Sequence, residues 1–250
     1  MLTAGVDLAA ESARTAMAIV KWSSTGAVVT ELGLGVDDKS IVDTMADVEK
    51  LGIDCPFGWP DDFVQFLNAH HRGNAPVPAN ESPAGWRRRL AYRETDRFVR
   101  DRTGLNPLSV ASDRIALTAM RAAGLLSRMA ADGQPVDRLG AGRVVEVYPA
   151  ASLKRWNLQH RGYKRRENQP NLQKLVSSLQ EMAPWLDLGS YESRCCESDD
   201  AFDAVIAALA SRAAAVGRTD PPHAHQQERA RTEGWIALPN CELNELVQTN

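Results

Sequence analysis

Leu2-Thr3-Ala4-Gly5-Val6-Asp7-Leu8 is a short apolar run closed by an acid, and two more apolar runs follow it at residues 15–22 and 27–34. The second and third are separated only by the turn residues Ser23-Ser24-Thr25-Gly26. Three such runs on tight connections predict an antiparallel meander. Working outward, Ser40 is positioned to cap a short helix reaching residue 48, and Leu51-Gly52-Ile53-Asp54 reads as a fourth strand. Cys55-Pro56-Phe57-Gly58-Trp59-Pro60 then ends it, because proline cannot continue a central strand, so Asp54 falls at a strand end. Beyond lie an expected helix at 60–71, a proline-rich loop at 73–85, one basic helix at 86–102 and a long Ala/Leu helix from Ser112 to about Asp132. Residues 143–148 form a Val-rich strand stopped by Pro149, and helices are expected at 152–156, 168–182 and 199–216. A polar loop at 220–232 leads to a closing strand, Gly234-Trp235-Ile236-Ala237-Leu238-Pro239. A meander followed by alternating strands and helices predicts an α/β fold, a mixed sheet with helices on both faces.

At 250 residues the chain fits one domain, with residues 73–111 as a loop and helical insertion within it. No apolar run reaches the roughly 18–20 residues of a membrane helix. Asp7, Glu11 and Arg14 interrupt the first twenty residues, which is unlike a secretory signal, so a cytoplasmic protein is expected. Cys55, Cys195, Cys196 and Cys241 have no disulfide or zinc spacing and are expected as reduced thiols. No phosphate-binding glycine motif, dinucleotide fingerprint or serine-hydrolase elbow is present.

The chemistry-bearing pattern is acidic. Asp7 and Asp54 lie at strand ends, Glu146 sits between Val145 and Val147 in an apolar strand, and Asp200 and Asp203 are three apart on one helix, hence on one face. Each has a bland reading: turn residue, paired buried acid, or complement to a helix N-terminus. Taken together and in this order, Asp7, Asp54, Asp200 and Asp203 suit Mg²⁺ or Mn²⁺, which take oxygen ligands, with Glu146 as a fifth catalytic acid.

Gly5-Val6-Asp7-Leu8-Ala9, Ile53-Asp54-Cys55-Pro56-Phe57-Gly58-Trp59-Pro60, Arg93-Glu94-Thr95-Asp96, Val145-Glu146-Val147-Tyr148-Pro149-Ala150, Asp200-Ala201-Phe202-Asp203-Ala204 and Glu233-Gly234-Trp235-Ile236-Ala237-Leu238-Pro239 resemble the motifs of one family. That family is the predicted RNase H-like nucleases, catalogued as domain of unknown function 429. The resemblance implies a five-stranded mixed sheet whose first three strands are antiparallel. The Asp200–Ala204 stretch is also similar to the closing helix of RuvC-type Holliday-junction resolvases, where two aspartates three apart help to bind magnesium beside a first-strand aspartate. Carried over by position, this implies metal binding by Asp7, Asp200 and Asp203, with Asp54 as the middle-strand acid.

The net charge of −3 conceals two basic segments. Residues 85–104 carry seven arginines against three acids, and residues 151–167 carry six Lys/Arg against one. On a single helix Arg89, Arg93, Arg97 and Arg100 would form one stripe able to track phosphates, and Lys164, Arg165 and Arg166 would form a second patch with Trp156 and Tyr163 as stacking surfaces. The bland alternative is solvated faces paired with Glu94, Asp96 and Asp101. The leading expectation is a metal-dependent nuclease acting on DNA or RNA, with homodimerisation open. The alternatives are a non-catalytic nucleic-acid or protein-binding module and an actin-like or sugar-kinase-type phosphotransferase. The last is weakened because Asp7 and Asp54 are not followed by glycine-rich phosphate loops.

Overall fold

A computed structural model describes residues 1–75 and 82–247. In chain order it contains β1 (Leu2–Asp7), β2 (Ala16–Trp22), β3 (Ala27–Leu34), α1 (Asp38–Asp47), β4 (Lys50–Asp54), α2 (Asp61–His71), α3 (Pro83–Ala91) and α4 (Glu94–Thr103). These are followed by α5 (Ala116–Ala131), β5 (Val144–Glu146), α6 (Pro149–Arg155), α7 (Gln169–Met182), β6 (Leu186–Asp187), α8 (Glu192–Glu197), α9 (Asp199–Ala215) and α10 (Gln227–Glu233). The described strands make one mixed sheet of order β5-β4-β1-β2-β3-β6. β1, β2 and β3 form the expected antiparallel meander, while β4 runs parallel to β1 and β5 parallel to β4.

The sheet has six strands, not the five expected. The extra strand is only two residues long and pairs in parallel with the outer edge of β3, too short to leave a periodic signal. The closing segment 234–239 is reduced to bridges, Ile236 to Glu146 and Pro239 to Thr219. The expected polar loop at 220–232 instead folds in part into α10.

The basic stretch is two helices. α3 ends at Ala91 and α4 begins at Glu94, because Asp96 closes back on the Arg93 N–H in a capping box at 2.9 Å. Residues 76–81, part of the expected proline-rich loop, lie outside the described residues, whereas Pro83 starts α3, an ordinary place for proline. The cap of α1 is Asp37, whose carboxylate accepts the Ser40 N–H at 2.8 Å, rather than Ser40 itself. Ser112 does not cap α5, which starts four residues later.

α9 runs across one face of the sheet and is buried continuously from Ala201 to Ala213. A helix apolar on every side belongs in a protein's centre. α7 and the Trp156 and Tyr163 side chains cover it from outside. The opposite face of β1 and β4 packs on α1 and α5 through Ile41, Met45, Leu125 and Met129. A third cluster, around Phe98, Val99, Trp235 and Leu238, joins α4 to α6 and α10. All four cysteines are free thiols. No described helix is long and apolar enough to cross a membrane.

Candidate metal centre

The centre begins with a register. In the parallel pair β1/β4, Gly5 lies opposite Gly52 and Asp7 opposite Asp54. Side chains alternate across a strand, so each acid projects from the face its glycine occupies. That face carries α9: a Cβ on Gly5 would collide with the backbone of Ala204 and Ala208, and one on Gly52 with Ser211 and the backbone of Ala207. Bare backbone therefore lets helix and sheet touch, and Ser211 Oγ fixes the contact by donating to Ala4 O at 2.9 Å. The first turn of α9, capped by Ser198 Oγ accepting the Ala201 N–H, brings Asp200 and Asp203 toward the ends of β1 and β4.

Asp203 is fully buried. Its Oδ1 accepts the Tyr163 hydroxyl at 2.8 Å, while Oδ2 meets Lys164 Nζ at 2.5 Å as an ion pair without hydrogen-bond alignment. Burial raises the Asp7 carboxyl well above the usual range, and Asp203 and Asp54 add to the rise. Burial likewise lifts Asp54 to about 7, although Lys164 opposes it. Asp200 is raised by burial and by Asp199, with Arg14 and the neighbouring Asp7 pulling the other way. Asp203 is raised by burial against the pull of Lys164 and Tyr163. Burial works against the Lys164 charge too, but Asp203, Asp7 and Asp54 outweigh it, so the ammonium stays protonated. Lys164 rides on a loop with left-handed backbone at Gly162 (φ 73°) and at Arg165 (φ 78°), an unusual conformation for arginine.

Four carboxylates from three elements thus crowd one centre with the half-exposed Lys164 ammonium among them. Their donor chemistry fits a hard divalent cation, and the Asp203 Oδ2 atom, buried without a hydrogen bond, fits a ligand role. As they stand, no three acids, histidines or cysteines among the described residues form a closed ligand set. Any ion would draw these side chains together from around Lys164.

The remaining expected site residues fall elsewhere. Glu146 and Arg93 line the same cavity but are committed to each other: Arg93 Nη1 donates to Glu146 Oε2 at 2.9 Å and Nη2 to Oε1 at 2.7 Å. Arg93 also pairs with Asp96, and at 1% exposure it cannot reach a phosphate from the surface. Arg89 pairs with Asp62 and Arg97 with Glu94, while Arg100 makes a loose contact with Asp101 at 3.5 Å. The four-arginine stripe does not exist, because the chain turns between α3 and α4. Lys164 stands at the acids, and Arg165 and Arg166 line an adjoining recess with Asp199. Trp156 and Tyr163 are core residues rather than stacking surfaces.

Beside the acids opens a cavity of about 340 Å³, lined by Asp7, Asp54 and Lys164 together with Leu108, Arg114, Ile115, Tyr148 and Ile236. Arg114 and Tyr148 carried no signal in the sequence beyond their types. The twin Gly-Val-Asp and Gly-Ile-Asp triplets at 5–7 and 52–54 did carry one, since they announce equivalent strand ends.

Fold and centre together define an α/β protein with clustered buried carboxylates where two parallel strands meet a central helix. The chain belongs to the family described as "Protein of unknown function (DUF429)", which matches residues 5–228. No curated protein and no solved structure matches the chain.

Proposed function

We propose that this protein is a divalent-metal-dependent phosphodiesterase acting on nucleic acid, and that its mixed sheet is an RNase H-like core. The observation that carries the proposal is the convergence of Asp7, Asp54, Asp200 and Asp203, from three distant parts of the chain, on one buried centre beside a cavity. Such a cluster costs stability unless a cation compensates it, so its burial favours a functional over a decorative role. A bound Mg²⁺ or Mn²⁺ would supply charge neutralisation, polarise the phosphodiester and favour ionisation of water.

The protein's own groups do the positioning. Asp7 and Asp54 are aimed by strand backbone that α9 clamps, which limits their drift. Tyr163 holds Asp203 by one oxygen and leaves the other toward Lys164. Lys164 is half-exposed, so its ammonium can exchange Asp203 for a substrate phosphate oxygen. Arg165 and Arg166 extend the positive surface along which a strand would continue.

One observation favours a second reading. Lys164 already neutralises part of the cluster, as it would in a non-catalytic nucleic-acid or protein-binding module built on the same fold. Calorimetric titration with Mn²⁺ separates the two. Saturable binding to the wild type, lost in both Asp7→Asn and Asp203→Asn and accompanied by Mn²⁺-dependent cleavage of a DNA or RNA oligonucleotide, supports the nuclease. Absence of metal binding with and without a non-cleavable oligonucleotide favours the module.

A further inference from the structure

The cavity beside the acids has a composition that backbone recognition alone does not require. Its walls include the apolar Leu108 and Ile115 from the segment between α4 and α5, and Ile236 from the closing segment. Leu108 keeps 47% of its surface exposed at this site, so core packing does not account for it. Tyr148, at the start of α6, presents its ring to the cavity. Its hydroxyl makes no hydrogen bond among the described residues, and burial pushes its pKa up to about 12, so it stays an uncharged donor. Arg114 adds an exposed guanidinium with no ion pair among the described residues. Lys164 lines the same cavity beside Asp7 and Asp54.

The cavity thus sets apolar and aromatic walls beside carboxylates and an ammonium, and its roughly 340 Å³ lies at the small end of ligand pockets, about 300–1,000 Å³. That volume suits one base and sugar and excludes a base pair. A nuclease that grips an intact duplex touches mainly phosphates and sugars, and a recess walled by leucine, isoleucine and tyrosine would find nothing there to bury. A base freed from its stack offers an apolar face to such walls and polar edges to a tyrosine hydroxyl.

We propose that the cavity takes a single unstacked nucleotide, its base against Leu108, Ile115 and Tyr148 and its phosphate toward Lys164 and the acids. The substrate class is therefore single-stranded nucleic acid or an unpaired, overhanging strand end, not paired duplex. Arg114 lies where it can contact the next phosphate. The inference rests on the nuclease reading of the carboxylates and adds the form of the strand.

The test is fluorescence anisotropy on the full chain with Ca²⁺ present to hold back cleavage. Labelled oligothymidylate and oligouridylate serve as the single strands, and a labelled blunt DNA hairpin whose loop is replaced by a non-nucleotide glycol linker serves as the duplex. Both single strands, or one of them if the sugar is also read, should bind about tenfold tighter than the hairpin, and Tyr148→Ala should erase most of that preference. Leu108→Gln, a surface change that does not threaten folding, should weaken single-strand binding severalfold and leave hairpin binding unchanged. Equal binding of strand and hairpin, no binding to either, or a preference untouched by both variants overturns the inference. Mn²⁺-dependent cleavage without strand preference would remove this inference and leave the nuclease standing. Strand preference sensitive to both variants, but without cleavage, would keep the nucleotide site and remove the hydrolysis.

Discussion

Arg93 and Glu146, fifty-three residues apart, meet in a two-pronged ion pair with both side chains almost fully buried. Around it the remaining polar valences close. Glu146 Oε2 also accepts the Phe57 N–H at 3.0 Å, Arg93 Nη1 donates to the Glu233 carbonyl at 3.0 Å, and Asp96 takes the rest of the guanidinium. Glu233 in turn accepts the N–H groups of Asp61 and Glu94. The network therefore fastens the starts of α2 and α4 to the end of β5.

Removing one partner of such a pair strands the other charge without water. Arg93→Met should destabilise the protein by about 3–5 kcal/mol in chemical denaturation, and Arg93→Lys should recover little, because an ammonium cannot form the fork. A loss below about 1 kcal/mol would show that the network is not the fastening described.

The carboxylate centre should make stability depend on pH in the direction opposite to that of ordinary salt-bridged acids. Asp54 sits at about 7 in the folded chain against an ordinary 3.8, and Asp7, Asp200 and Asp203 are shifted in the same direction. Between those values the folded chain holds protons that the unfolded chain releases, so stability is greatest on the acid side and falls as pH rises through about 7. Thermal melts in chelator should show Tm declining from about pH 5 to pH 8, and Asp54→Asn should raise Tm at pH 8 by about 3–5 °C while removing metal binding. A flat profile would contradict the charge crowding.

On the proposed metal-dependent reading, Lys164 and a divalent cation would compete for the same oxygens. Lys164→Gln should therefore tighten Mn²⁺ binding to the free protein by about tenfold, read by calorimetry, while weakening oligonucleotide binding. Unchanged metal affinity would mean that the lysine stands apart from the ligand set.

Gly234 is held at φ 88°, and a Cβ there would lie 2.8 Å from Glu146 Oε2 and 3.1 Å from the Phe57 Cβ. Gly234→Ala should cost about 2–4 kcal/mol, combining left-handed strain with a forced shift of the Arg93–Glu146 pair. A neutral effect in denaturant titration would show that the closing segment tolerates displacement.

How far the sequence announced this arrangement differs from residue to residue. The meander and α9 were legible because their signals are local: alternation over seven or eight residues, and seventeen residues without glycine or proline. The acids at 7, 54, 200 and 203 were legible as types at element ends. The arginines were misread because their spacing assumed one continuous helix, whereas the Asp96 cap that interrupts it is a tertiary choice made together with Glu146. Glu146 was legible as a buried acid needing a pair or a ligand, but Arg93 could not be singled out as its partner because it is remote in sequence. Tyr163, beside a run of basic residues, gave no hint that it would turn inward to Asp203.

The Gly5–Gly52 rung, against which α9 packs with only the small Ser211 side chain at the contact, separates what can vary in this protein from what cannot. The spacing of the acids is dictated by main-chain atoms and offers mutation almost nothing to adjust. The cavity wall around Leu108 and Arg114 is made of side chains on a connecting segment and can be exchanged freely. Variation should therefore be sought at exposed positions of that segment such as Leu108 and Arg114, rather than in the strands or at the buried Leu105, Ser109 and Val110.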